Sequence, residues 1–337
     1  MASALVSQAL RLAAEDRQAE GAALLGQAAG EGDAEASYAL GLWRLEGRHL
    51  PRDLVEARRH VAQAEARGLV AAARTLSALM VLGLGGIPEW SEALALLQRW
   101  RERDPAAGRQ LDLIGKMRVD SQGAPLEPAL AEPVSEAPLI RRFPAFFTPD
   151  EAQFLCDLAE PRFKPALAFD ERAGRFVSHP FRDATVAAFP AVFEWPAVHA
   201  LNRRIAAASG TDVAQGESLQ VLRYGPGQQY RPHLDAVPGL DNQRAWTMLV
   251  TLNEGYEGGE TVFPDSEIRL RGRRGDAFLF RNIDSDGRPD RTSLHAGAPV
   301  TEGVKLIASR WIRQTPPPAG EAFGQHEVLS RPDDLGQ

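Results

Sequence analysis

His233-Leu234-Asp235, with His295 far downstream, is the part of this sequence whose residue types and spacing could do chemistry. Two imidazoles and one carboxylate are a complete set of protein ligands for ferrous iron, leaving its other positions open for a co-substrate and dioxygen. Alternate residues of a strand point to one face, so His233 and Asp235 at i and i+2 would offer two donors from a single strand. His295 must then arrive from another strand. A His-x-Asp pair by itself is common as plain surface or core polarity; here its flanking strings give it weight.

From about Glu217 onward the sequence turns to short alternating or fully apolar runs, separated by glycine-rich turns. Leu219 to Tyr224, Thr247 to Leu252, Ala277 to Phe280 and Val304 to Ile312 read as strands. They predict a double-stranded β-helix, or jelly-roll, whose facing sheets bring inward side chains around one pocket. Upstream, Thr148-Pro149-Asp150-Glu151 has the form of a helix start, with Thr148 as cap and proline in the first turn. Ala197 to Ala208 reads as a second flanking helix. Gly258-Gly259 marks a turn with unusual backbone angles.

The strings Leu222-Arg223-Tyr224-Gly225-Pro226-Gly227 and Tyr230-Arg231-Pro232-His233-Leu234-Asp235 stand first in a longer series. Gly258-Gly259-Glu260-Thr261-Val262-Phe263-Pro264, Gly275-Asp276-Ala277-Phe278, Ser293-Leu294-His295-Ala296-Gly297 and Gly303-Val304-Lys305-Leu306 follow in order. Together they closely resemble the catalytic domain of the 2-oxoglutarate- and iron(II)-dependent prolyl 4-hydroxylases, from near Leu139 to Gln314. The resemblance implies Fe(II), 2-oxoglutarate and O2 as cofactors, held at His233, Asp235 and His295, and leaves a use of L-ascorbate open. It implies that Lys305 pairs with the far carboxylate of 2-oxoglutarate and that the Tyr224 hydroxyl also meets the co-substrate. A buried lysine among Val304, Leu306 and Ile307 makes sense where an anion neutralises it, and the alternative is a lysine on the exposed strand face. Arg244 and Trp311 match positions near the substrate in peptide-acting relatives, and Tyr230 joins them as a candidate contact; each could also be a packing residue.

The implied reaction is hydroxylation of a peptidyl or protein substrate, foremost prolyl 4-hydroxylation, with release of succinate and CO2. The ligand triad does not separate this from the same chemistry on a free amino acid, another side chain or a natural product. An inactive jelly-roll scaffold acting through the amino-terminal region is the reading from a different class.

Residues 1–115 are rich in alanine, leucine, arginine and glutamate and read as helices. An internal repeat appears at an offset of 36, pairing Ala28 with Ala64, Gly32 with Gly68, Leu40 with Leu76, Gly47 with Gly83 and Ala57 with Ala93. That period predicts a solenoid of helical hairpins. The copies resemble Sel1-like repeats, relatives of the tetratricopeptide repeat, with departures at Ser77 and at Pro88-Glu89-Trp90. Such repeats would either dock a substrate or partner protein or serve as a structural cap. Residues 116–138, with Pro125, Pro128, Pro133 and Pro138, read as a connector without regular structure. The catalytic domain is expected over 139–315, followed by a tail, 316–337, with no readable task.

The 337 residues carry 25% charged and 44% hydrophobic side chains and a formal net charge of -7, which fits an ordinary globular protein of two domains. The acidic balance argues against a nucleic-acid or anionic-membrane partner, although Arg269, Arg271, Arg273 and Arg274 form a local basic run, read as a solvated hairpin end. No stretch reaches the roughly 20 apolar residues of a membrane span, and no secretory leader is visible. The single Cys156 excludes an intrachain disulfide and fits a reducing compartment, so a cytoplasmic protein is expected. His49, His60, His179, His199 and His326 have no ligand spacing.

Overall fold

The computed structural model describes residues 4–170, 175–178, 182–237 and 239–317. These divide into two compact units, one comprising 4–126 and 191–201, the other 127–190 and 202–317. His179, His326 and the tail from Pro318 lie outside the described residues. Among the described residues no helix is long and apolar enough to cross a membrane.

The first unit contains the helices Ala4–Ala14, Gln18–Gly30, Ala34–Glu46, Leu54–Ala66, Val70–Leu82, Trp90–Trp100 and Pro105–Ile114. Helices Ala34–Glu46 and Val70–Leu82 begin and end at the offset of 36 found in the sequence. Each stops at a glycine in the left-handed region, Gly47 with φ 73° and Gly83 with φ 67°, where a Cβ would be strained. The alanines that the repeat aligns, Ala28, Ala57, Ala64 and Ala93, are all buried, as expected of small residues where helices cross. The second copy is capped less well. Asp33 and Asp53 accept from the backbone N–H groups of Ala36 and Glu56, whereas Leu69 and Glu89 make no such bond.

The second unit is built on an eight-stranded antiparallel sheet. Its order is Glu132–Glu136, Leu139–Phe143, Ala277–Arg281, Arg244–Thr251, Lys305–Arg313, Leu219–Tyr224, Thr185–Phe189 and Lys164–Pro165. A minor sheet runs Ile268–Leu270, Thr261–Phe263, His295–Gly297, Tyr230–His233. One hydrophobic cluster joins Ile140, Phe278 and Phe280 of the major sheet to Phe263 and Leu270 of the minor one, so the two faces pack as a jelly-roll. The four strands expected from alternation all form, with ends shifted by a few residues at most. The connector reading of 116–138 needs one amendment, because Glu132–Glu136 is a strand paired with Leu139–Phe143. It lies at the edge of the sheet, where Pro133 removes no interior ladder bond.

Helix Pro149–Ala159 opens with the capping arrangement its sequence predicts. Thr148 Oγ1 accepts from Glu151 N at 3.2 Å, and Glu151 Oε2 accepts from Thr148 N at 2.8 Å. The same buried carboxylate takes two bonds from Arg204, at 2.6 and 2.7 Å. Helix Pro196–Ser209 covers the second predicted helical stretch. In the arginine run, Arg269, Arg271 and Arg273 are exposed, and Arg274 donates to Pro149 O and Gln153 Oε1.

Candidate active site

His233 ends the strand Tyr230–His233, His295 begins the strand His295–Gly297, and the two face each other directly in the antiparallel ladder. Asp235 lies two residues past the strand end, in a bend. The pair therefore does not come from one strand as the alternation suggested: the strand supplies His233, and the turn after it swings the carboxylate into place. Ligand atoms of His233, Asp235 and His295 all fall within 4.8 Å of one another.

The two rings are oriented by their own backbone. His233 Nδ1 lies 2.8 Å from Arg231 O, and His295 Nδ1 lies 2.9 Å from Ser293 O. A carbonyl only accepts, so Nδ1 carries the proton in each ring and Nε2 is the metal-facing atom. Each Nε2 is 3.6 Å from a different oxygen of Asp235. The His295 ring is packed by Phe280 and Phe263, at centroid distances of 4.7 and 5.6 Å. Tyr230 stacks on His233 with centroids 3.4 Å apart.

Burial pushes the His295 imidazole down to about 4, against the pull of Asp235, so the ring is neutral at pH 7 and able to ligate. Burial opposes ionisation of Asp235, but His295, His233 and the Thr247 hydroxyl outweigh it and hold the carboxyl below its usual range. Two neutral nitrogens and one carboxylate, with their outer atoms already hydrogen-bonded, fit ferrous iron.

Lys305 and Tyr224 face each other in the ladder between Lys305–Arg313 and Leu219–Tyr224, and both line the cavity that holds the triad. Lys305 is buried. Its Nζ donates to Gly259 O at 2.6 Å and forms no ion pair among the described residues. Gly258 and Gly259 have φ 68° and 71°, the unusual angles the sequence predicts, but they lie at a register shift at the end of the paired strand Glu257–Gly258 and not in a turn. Burial pushes the Lys305 ammonium down to about 8, with Glu260 opposing. It pushes the Tyr224 phenol up to about 12, so the hydroxyl keeps its proton as a donor.

Residues 219–313 match the model of the 2OG-Fe(II) oxygenase superfamily. Over 202 residues the chain is 35% identical to Prolyl 4-hydroxylase 1 of Arabidopsis thaliana, across 54% of this chain and 71% of that protein. The chain belongs to the prolyl 4-hydroxylase family of 2OG-Fe(II) oxygenases. It is 32% identical over 215 residues to Prolyl 4-hydroxylase subunit alpha-1 of Rattus norvegicus, and spans only 39% of that longer subunit. Among solved structures, the viral collagen prolyl hydroxylase of Paramecium Bursaria Chlorella virus-1 aligns over 52% of this chain and 96% of its own, with 26% identity and a TM-score of 0.40. As a member of this family the chain is a 2-oxoglutarate-dependent dioxygenase, with Fe(II), 2-oxoglutarate and O2 as its cofactors.

Of the family's candidate substrate contacts, Tyr230 and Trp311 line the cavity and Arg244 does not. Arg244 stands behind Trp311, its guanidinium 3.8 Å from the ring centroid and doubly hydrogen-bonded to Glu217 at 2.7 and 2.8 Å. Sequence reasoning missed Arg182, which is buried in the cavity wall 4.4 Å over the Tyr230 ring. It also missed Thr247, whose hydroxyl meets Asp235. Neither has a spacing signature, although Thr247 could have been found as the lone hydroxyl at the start of a predicted barrel strand. His199 is accounted for by a buried pairing with Glu194 at 2.8 Å.

Proposed function

We propose that this chain hydroxylates a prolyl residue of a peptide or protein. In the balanced reaction 2-oxoglutarate loses CO2 to become succinate, one atom of O2 entering succinate and the other the new hydroxyl. The observation that carries the reading is the buried Lys305, without an ion pair among the described residues, in the same cavity as a His, Asp, His set, since a buried ammonium calls for an anion. His233 Nε2, His295 Nε2 and Asp235 would hold iron, which when bound with 2-oxoglutarate and O2 supplies the oxidising power. Lys305 and the Tyr224 hydroxyl would take the far carboxylate of 2-oxoglutarate. Tyr230 and Trp311 would bound the substrate, with Arg244 bracing the Trp311 ring. The proline preference is supported by the names of the relatives, which share the sequence of this half of the chain. The helical hairpins would be Sel1-like repeats that dock the protein bearing the target residue.

The test begins with an anaerobic visible spectrum of metal-stripped protein given Fe(II) and 2-oxoglutarate, in wild type, His233→Ala and Lys305→Ala. A charge-transfer band requiring both additions and weakened by each substitution is expected. Its absence from folded wild type would sink the co-substrate assignment. Succinate release should then be stimulated by proline-containing peptides more than by free proline; the reverse order would remove the peptide substrate while leaving the oxygenase chemistry standing.

A further inference from the structure

Behind Asp235 runs a chain of two hydrogen bonds that the chemistry above does not use. Thr247 Oγ1 lies 2.6 Å from Asp235 Oδ2, and Asn282 Nδ2 lies 2.8 Å from Thr247 Oγ1. All three residues are buried. The polarity of this chain is dictated by its ends. An amide nitrogen only donates and an ionised carboxylate only accepts, so the hydroxyl accepts from Asn282 and gives its own proton to Asp235.

Neighbouring strands of the major sheet set the geometry. Thr247 pairs with Phe280 and Trp246 with Arg281, which brings Asn282, the next residue, alongside Ala245. Its backbone is clamped there, donating to Ala245 O and accepting from Asp290 N, both at 2.9 Å. Its side-chain amide donates to Thr247, and among the described residues its Oδ1 has no partner. A buried amide with an unsatisfied oxygen carries a desolvation penalty that an apolar side chain of the same shape would avoid. Packing therefore does not account for an amide at this position, whereas a donor aimed at Thr247 does.

We infer that Asn282 is a positioning residue for Asp235, acting only through the Thr247 hydroxyl. Asn282 occupies a lone pair of Thr247 and thereby turns its proton onto Oδ2. Oδ1 is left as the oxygen whose lone pairs are free for metal. A carboxylate fixed in this way would present Oδ1 to iron in one orientation, and hydrogen bonds that hold a ligating carboxylate in place strengthen metal binding. The inference rests on the oxygenase reading, and Asn282 itself does not line the cavity.

The test is anaerobic calorimetric titration of the full-length, metal-stripped protein with Fe(II) alone. The set is wild type, Thr247→Val, Thr247→Ser, Asn282→Leu and the Thr247→Val/Asn282→Leu double variant, each with its melting curve. Thr247→Val should weaken Fe(II) binding by roughly 10–100-fold, Asn282→Leu by roughly 10-fold, and Thr247→Ser, which keeps the hydroxyl, by much less. Because Asn282 acts only through Thr247, the double variant should bind no more weakly than Thr247→Val. Additive losses, or wild-type affinity in Asn282→Leu, would overturn the inference. Should Asn282→Leu not fold, Asn282→Ala removes the donor without adding bulk and is read by the same criteria. A wild type that binds no Fe(II) would overturn the oxygenase reading and this inference with it, whereas binding indifferent to Asn282 overturns this inference alone.

Discussion

At the scale of single residues, the buried Lys305 makes co-substrate binding a proton-linked event. Its ammonium is pushed down to about 8 in the free protein, and an anion beside it would restore the proton. The sign follows: below pH 8 the charge is already present, so affinity for 2-oxoglutarate should be flat, and above pH 8 it should fall as binding has to recapture a proton. Dissociation constants from the charge-transfer band between pH 6.5 and 9.5 would read this. Lys305→Met should lose about 2–5 kcal/mol of that affinity and lose the bend above pH 8 as well. A wild-type bend that survives the substitution would assign it to another group. The legibility of the site divides along the same line. The clustering of His233, Asp235 and His295 could be anticipated from the sequence because metal sites need particular residue types at particular separations, whereas Lys305 and Tyr224 stand out only through the family resemblance. Thr247, Asn282 and Arg182 could not, because what a hydroxyl, an amide or a guanidinium touches depends on which strand lies beside it.

At the scale of elements, Glu151 does two jobs, closing the capping box with Thr148 and neutralising Arg204. These jobs can be separated by substitution. Thr148→Ala removes one cap bond and should cost about 1 kcal/mol. Glu151→Ala strips the partner from a largely buried guanidinium and should cost about 3–5 kcal/mol. Denaturant midpoints of the two variants would show the difference, and equal costs would mean that the ion pair contributes nothing beyond the cap. The helix was legible because proline and acidic residues at a helix start act locally. The strands over Leu219–Tyr224 and Ala277–Arg281 were legible because short apolar runs near glycines, continuous over 277–280 and interrupted by Gln220 and Arg223 in the other, have few other outcomes. The Glu132–Glu136 strand was hidden because Pro133 reads locally as a breaker, and only its edge position in the finished sheet makes it harmless. The bend that carries Asp235 was hidden for a related reason, since nothing in His-Leu-Asp says where pairing stops.

At the scale of the whole molecule, the chain has two compact units with separate cores, one of helices and one of sheets. The candidate metal ligands all belong to the second. Anything that binds only the folded second unit should raise the stability of that unit by mass action, about 2.7 kcal/mol at a hundred times its dissociation constant. Anaerobic scanning calorimetry with and without Fe(II) and 2-oxoglutarate is therefore expected to resolve two transitions and to move one of them. A single transition that shifts as a whole would mean that the units unfold as one. The period of 36 made the helical unit legible, since it fixes where helices recur, while the task of that unit stays with its surface, which the period does not describe.

His233 and His295 are opposed residues on neighbouring antiparallel strands, and Tyr230–His233 is an outer strand of the minor sheet. A metal held by both rings is thus a cross-link between an outer strand and the one strand of that sheet it pairs with among the described residues, besides the single bridge from Tyr230 to Arg182. The ion that equips the protein for oxidation would also act as a rivet, and a protein stripped of it is expected to fray first at that strand.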